Sequence, residues 1–464
     1  MSTKSAKSTS VFDFYGKPSI GTALPLSIQH VLAMIIGNIT PALIVAGTVN
    51  ALGDERLGAD PAVLVQSALF IAGIATLIQL FPITIIGSRL PVIMGVSFAY
   101  IPTLTAIGAE YGLPGVLGAQ IVGGIVGIIV GIFIKPLRKY FPPLVAGTVV
   151  LSIGLSLYPT AVNYIGGGAA AKDFGAPRHL IVGGVTLLVV LLVGQFGKGM
   201  LKLSSILVGI IVGYIVAIPF DLVDLAAVGE KGWLALPAIG QFPIEFHPAA
   251  MISMGVIFVV NSIQAVGDLS ATTMGGFNRE VTDQELQGGI IGSGLSSVIG
   301  AFFGGLPIAT YSQNVGIVAT TKVVSRVVFA ISAIIVLIAG FIPKFGALMT
   351  TIPQAVIGGA TIGVFASITM SGIKLIIQEE LSNRNTSIVG LALALGMGIT
   401  SVPALLEPYP AEVGMIFGSS PVVIATLVSV ILNIVFPKKS LADEQRERDE
   451  MEAKKAAKRA AKGK

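Results

Sequence analysis

The 464-residue sequence predicts an all-α polytopic membrane protein of about 14 transmembrane spans in two inverted seven-span repeats, and three observations predict it. First, 53% of the residues are hydrophobic and 11% are charged, where an ordinary soluble domain carries about 25% charged residues. Second, the charge is concentrated after Pro437, so the first 437 residues hold only 37 charged side chains. A span takes about 20 apolar residues, so with short connections this stretch holds about 14. Third, two segments interrupted by Gly and Pro lie 216 residues apart at matching places in the two halves. Such paired breaks are the sequence mark of an inverted-repeat transporter.

In chain order the spans are expected at 24–49, 62–81, 84–107, 115–134, 143–162, 179–196, 203–220, 249–270, 288–304, 306–321, 325–343, 353–377, 386–403 and 418–436. Connections on one side carry Asp54, Glu55, Asp60, Glu110, Asp173, Asp221, Asp224 and Glu230. The other side carries Lys135, Arg138, Lys139, Lys198, Lys202, Lys322, Arg326, Lys374 and Arg384, and both termini are basic. Lys and Arg favour the cytoplasmic side, which places both termini inside. Arg56, Lys172, Arg178 and Lys231 run against this asymmetry. No apolar run precedes Pro25, so a cleaved signal peptide is not expected.

The third span reads GSRLPVIMGVSFAYIP (87–102) and the tenth GGLPIATYSQNVG (304–316). In each, a Leu-Pro step (Leu90-Pro91, Leu306-Pro307) leads into small or β-favouring residues and then a polar cluster. Irregular backbone at membrane depth is tolerated only where it is buried in protein or lines a cavity. A site is therefore expected where these two spans meet; kinks that merely shape packing are the alternative.

Three polar groups fall within the membrane. Gln313 and Asn314 follow the second break; a half-helix starting near Ser312 would add free N–H groups and a positive dipole end. This suits a planar molecule with carbonyl and N–H edges, although helix capping is a competing role. Asn261, Gln264 and Asp268 lie in span eight, the last two on one helix face. An ionisable residue such as Asp268 inside a span is costly and is commonly functional. Span one holds Gln29, His30, Asn38 and Thr40-Pro41, and span three adds Ser97, Phe98 and Tyr100, with Phe98 able to stack on a flat ring.

Gly123, Gly127 and Gly131 have the spacing of a close helix contact, and Trp233 reads as an interfacial anchor. The tail, 438–464, reads as a solvated helix whose basic end could meet anionic headgroups. Without cysteine there are no disulfides or thiolate sites, and His30, His179 and His247 are scattered, so no metal and no enzyme chemistry are expected. The near-neutral balance outside the tail leaves no nucleic-acid patch.

The stretch QNVGIVATTK, residues 313–322, resembles the signature of the nucleobase–ascorbate transporter (nucleobase:cation symporter-2) family at Gln313, Asn314, Gly316, Thr321 and Lys322. QHVLAM, ITPAL, GVSFAYIP, GAPRHL, AVGDLSAT, PQAVIGGAT and LNIVFP extend the resemblance over about residues 20–437. It implies short β-strands in spans three and ten and a core domain (21–141 and 249–345) that moves, elevator-like, against a gate domain (142–248 and 346–437). Residues 1–20 and 438–464 are the cytoplasmic ends, and the resemblance implies a homodimer in the lipid bilayer of the plasma (cell inner) membrane.

The implied substrate contacts are Gln264, Gln313, Phe98, Ala99 and Asn314, with Asp268, His30, Gln29, Ser293 and Thr321 in coupling or support. The implied function is ion-coupled import of a purine nucleobase, xanthine or uric acid. Uracil and ascorbate are alternatives within the family, and an anion transporter or channel on the same fold is another. No resident cofactor is expected; the transported coupling ion would be H⁺ or Na⁺. Two departures stand out. Proton-coupled members usually have Glu where this chain has Gln264, and an acid or Asn where it has Ser293. An amide carries no proton, so coupling would pass to Asp268, His30 or Na⁺, or be absent. Ala99 leaves room for a larger or more oxidised purine.

Overall fold

A computed structural model describes residues 9–54, 57–168, 171–418 and 420–462. Helices of eight or more residues are numbered here. α1 (Ile20–Asn50) and α2 (Pro61–Leu80) lead to strand β1 (Met94–Val96) and α3 (Ile101–Ile132). α4 (Pro143–Ile165), α5 (Pro177–Phe196) and α6 (Ser205–Ala217) follow. The second half also begins with two helices and a strand, α7 (Pro248–Phe277), α8 (Asp283–Phe302) and strand β2 (Ile308–Thr310), followed by α9 (Ser312–Thr321), α10 (Arg326–Ala339) and α11 (Pro343–Thr350). α12 (Gln354–Ile376), α13 (Asn383–Ser401) and α14 (Pro421–Val435) precede the tail helix α15 (Leu441–Lys462).

Helix starts reflect local chemistry. Pro occupies the first turn of α2, α4, α5, α7, α11 and α14, where its missing N–H costs nothing. Asp60 caps α2, and Thr282 with Glu285 forms a capping box at α8. Among the described residues, seven helices are long and apolar enough to cross a membrane, or eight if the bent pair α10–α11 is one span.

One expectation, that of the tail, is corrected, and two breaks are located. Between the expected spans three and four the break is a single non-helical residue, Gly112 (φ 64°, ψ −169°), where two helices meet just before Pro114. Glycine alone adopts that conformation without strain. The expected span eleven (325–343) holds one helix, α10, and α11 follows it at 80° after a break at 340–342, within the expected connection. The tail does not begin in solvent. Glu444 is buried and accepts from the Asn383 N–H (2.6 Å) and side-chain amide (2.9 Å) at the start of α13. Glu444→Ala is expected to cost about 1–3 kcal/mol locally. Faster protease cleavage within 438–455 would register the loss.

The helices sort into two packing groups. α1, α2, α3, α7, α8, α9, α10 and α11 pack chiefly on one another, as do α4, α5, α6, α12, α13 and α14. The glycine stripe of α3 works as a close contact: an added Cβ at Gly123 would lie 2.4 Å from the Phe258 ring, and one at Gly131 2.8 Å from Ile291. Trp233 is exposed, with the Lys344 ammonium 4.6 Å from its ring centre.

β1 and β2 pair antiparallel, Met94 opposite Thr310, Gly95 opposite Ala309 and Val96 opposite Ile308. Each strand follows a Leu-Pro step in backbone that is already non-helical after α2 and α8, and Pro keeps it so. A two-stranded ribbon has two open edges, and within hydrocarbon those groups need partners. Side chains supply them. Asn38 Oδ1 accepts from the Val96 N–H (2.7 Å) and Thr76 Oγ1 from the Met94 N–H (2.9 Å). Ser293 Oγ donates to the Ile308 carbonyl (2.8 Å), and Ser297 Oγ accepts from the Ile308 N–H (3.1 Å). The Tyr311 hydroxyl donates to the Val96 carbonyl (2.8 Å), its ring lying where a Gly95 side chain would be.

Candidate functional site

Beside the ribbon lies a cavity of about 200 Å³ between the two packing groups. Gln264, Gln313, Phe98 and Ala99 form one side; Val150 and Ile153 of α4 with Ser367, Ile368 and Ser371 of α12 form the other. The backbone turns after β1 and β2 place Phe98–Ala99 and Ser312–Gln313 side by side. α9 starts at this wall without a side-chain cap, so its first N–H groups and positive dipole end border the cavity. Phe98 is buried and meets Phe365 edge-on at 5.2 Å. Among the described residues, no Lys or Arg lines the cavity.

Asp268 braces this wall from behind. Its two carboxylate oxygens accept from Thr310 Oγ1 (2.8 Å) and Ser312 Oγ (2.7 Å), tying the end of β2 and the start of α9 to α7. Gln264, one turn earlier, lies beside the same carboxylate and reaches the cavity.

Ser97 also lines the cavity, whereas Asn314, His30, Ser293, Thr321 and Gln29 do not. Asn314 is buried and donates to His30 Nδ1 (3.1 Å) and to the His30 carbonyl (3.0 Å). That bond makes Nδ1 an acceptor and assigns the ring proton to Nε2. His30 also packs on Phe329 at 4.4 Å, so the pair joins α1 to α9. Ser293 holds β2. Thr321 closes the last turn of α9 through the Ile317 carbonyl (2.8 Å), and Gln29 is half-buried. In the GAPRHL stretch, Asp173 accepts from Arg178 Nε (2.7 Å) and lies 2.8 Å from His179 Nε2. The Arg178 guanidinium holds the Asp173 carboxyl below its ordinary value.

Sequence reasoning missed the second wall. Ser367 and Ser371 carried a readable signal, two hydroxyls four residues apart in an apolar span; Val150 and Ile153 carried none. It also missed Thr76 and Ser297, whose role depends on a ribbon edge formed by distant segments.

The sequence model of the Xan_ur_permease family, described as a permease family, matches residues 21–405. The chain belongs to this permease family. Similar relatives cover most of its length. The uric acid permease PucK of Bacillus subtilis (strain 168) is 35% identical, covering 89% of this chain and 95% of its own. The xanthine permease XanQ of Escherichia coli (strain K12) is 33% identical, covering 93% and 95%. The permease fold also resembles the transmembrane domain of a cyanobacterium bicarbonate transporter, BicA, at TM-score 0.59 and 16% identity, covering 89% of this chain and 97% of that one. SLC26A9 gives 0.60 at 12% identity, covering 90% and 66%. This permease is thus a multi-pass membrane transporter protein and not an enzyme.

Proposed function

We propose that this permease imports a purine nucleobase, xanthine or uric acid, across the plasma membrane by secondary active transport. The observation that carries the reading is the cavity itself. Two amides, Gln264 and Gln313, and the Phe98 ring face a space of about 200 Å³ with no cationic side chain in its wall. An amide both donates and accepts, so two of them can pair with the alternating carbonyl and N–H groups of an oxidised purine. PucK and XanQ, named for uric acid and xanthine, support the same class. A wall without Lys or Arg favours a base over a small anion.

The proposed motion is elevator-like, the core (21–141, 249–345) sliding on the gate (142–248, 346–437). Support comes from the two packing groups and from a cavity lying between them. About 14 spans in inverted repeats, both termini in the cytoplasm and a gate-mediated homodimer complete the proposal. The cavity lies near the ends of α4 and α12 that join the basic connections, so we infer an inward-facing state. At the other end α1 meets the second group, with Gly47 facing the Tyr164 hydroxyl and the Gln354 amide. Coupling, by H⁺ or Na⁺, is assigned to the region of Asp268, since Gln264 cannot carry a proton.

The test is uptake of radiolabelled xanthine into cells lacking base transport, with uric acid, guanine, uracil and ascorbate as competitors, with and without proton and Na⁺ gradients. Gradient-driven uptake competed by purines is expected. Uptake competed only by uracil or ascorbate would overturn the purine assignment. Gln313→Ala removes two hydrogen bonds of about 0.5–1.5 kcal/mol each, so affinity should fall roughly ten-fold. Unchanged uptake at equal surface level would remove Gln313 from the site. Gln264→Glu places a titratable group in the cavity and should steepen the pH dependence of uptake; a flat profile would count against coupling beside this position.

A further inference from the structure

The wall opposite the amides is not apolar throughout. α12 crosses an apolar environment with a mean hydropathy of 1.7 in its best window, yet it turns Ser367 and Ser371 into the cavity. Four residues apart, the two share one helix face and stand about 6 Å apart along the axis. Both are exposed, and their protons are committed to their own helix. Ser367 Oγ donates to the Gly363 carbonyl and Ser371 Oγ to the Ser367 carbonyl, each at 2.9 Å. A hydroxyl whose proton is bound in this way offers its lone pairs outward. The wall therefore presents two acceptors in a row to a molecule whose far edge is held by Gln264 and Gln313.

Resting on the reading of this cavity as a purine site, we propose that Ser367 and Ser371 are specificity residues. They read the five-membered-ring edge of the base and favour a purine oxidised on that ring, uric acid, over xanthine. The chemistry of the two molecules separates at this edge. In uric acid, ring N–H groups flank a carbonyl and point apart, as two acceptors one helical turn apart require. In xanthine the carbonyl is replaced by C–H and the edge carries one N–H. One serine then bonds and the other faces a group that cannot donate. Either hydroxyl can turn its proton to the uric acid carbonyl, or to the bare ring nitrogen of xanthine, only by giving up its intrahelical bond, so the pair as it stands favours the base with two N–H groups on this edge.

The test measures xanthine uptake and its inhibition by uric acid in the full-length wild type, Ser367→Ala, Ser371→Ala and the double variant, at matched surface level. Alanine suits an exposed helix position, and xanthine uptake in each variant reports that the protein is folded. The double variant should raise the inhibition constant of uric acid about ten-fold while the xanthine KM changes less than about three-fold. Equal weakening of both purines, or no change in either, would overturn the assignment. So would a wild type that carries xanthine and ignores uric acid. A wild type that carries no purine at all defeats the purine reading and this inference together, and is distinguished by that result alone.

Discussion

Asp268→Ala is expected to reduce base uptake at least a hundred-fold at unchanged surface level, the largest single-residue effect in the protein. The carboxylate accepts from Thr310 and Ser312, and those two hydroxyls hold the end of β2 and the first turn of α9 beside the cavity. Hydrogen bonds to a charged group contribute about 1.5–3 kcal/mol each. Losing both, with the buried Thr310 hydroxyl left unpartnered, corresponds to a hundred-fold or greater loss of the ordered site. Asp268→Asn separates bracing from coupling. A hydroxyl can donate or accept, so the amide can re-form both contacts without the charge. If the Asn variant binds xanthine normally but no longer accumulates it, the charge serves coupling. If it accumulates xanthine with normal ion dependence, bracing is the whole role. Full uptake by the Ala variant would refute both.

Gly95→Val is expected to be nearly as damaging, for a steric reason. A Cβ at Gly95 would lie 2.3 Å from Cε2 of Tyr311 and 2.8 Å from its hydroxyl. The ring cannot swing aside without releasing the Val96 carbonyl, which it satisfies at the ribbon edge. Overpacking costs about 1–3 kcal/mol, and a buried carbonyl without its partner costs about 1–3 kcal/mol more. Purified Gly95→Val should lose thermal stability in detergent and transport at under a hundredth of the wild-type rate. Tyr311→Phe, which removes only the hydroxyl, should fall between the two. A Gly95→Val protein of normal stability would mean that the ribbon tolerates separation of its strands.

The sequence was most informative where chemistry is forced. Leu90-Pro91 and Leu306-Pro307, with glycine on their approach, disfavour a continuous helix, so both breaks and their meeting could be expected from matched positions; that the segments pair as strands came only with the family resemblance. Gln264, Gln313 and Phe98 were legible because polar or aromatic residues in apolar spans stand out against their neighbours; Ala99 came only with the family resemblance. The role of Asn314 was not. An amide reads the same in sequence whether it faces a cavity or a histidine, and only the crossing of α1 with α9 sends it to His30. Val150 and Ile153 look like any lipid-facing pair; they become cavity wall because α4 and α12 pack antiparallel, with Gly147 against Gly372 and Gly154 against Thr369. The docked tail was hidden for the opposite reason. Glu444 is one acid among many in a charged run, and its burial depends on where α13 begins.

Met94 must wait for Thr310, which is 216 residues further along the chain. At about 5–20 residues per second of synthesis, that is roughly 10–40 s during which the first strand sits in the bilayer without its mate. Asn38 and Thr76 lie upstream of β1 and can occupy one of its edges at once; the other edge stays open until the second half has been made. The nascent chain therefore passes through a long stage at which its first half is inserted but unfinished. Loss of the ribosome at that stage should leave a product that quality control removes. A fragment ending at residue 300 should be short-lived in cells, and supplying residues 249–464 as a separate chain should extend its lifetime.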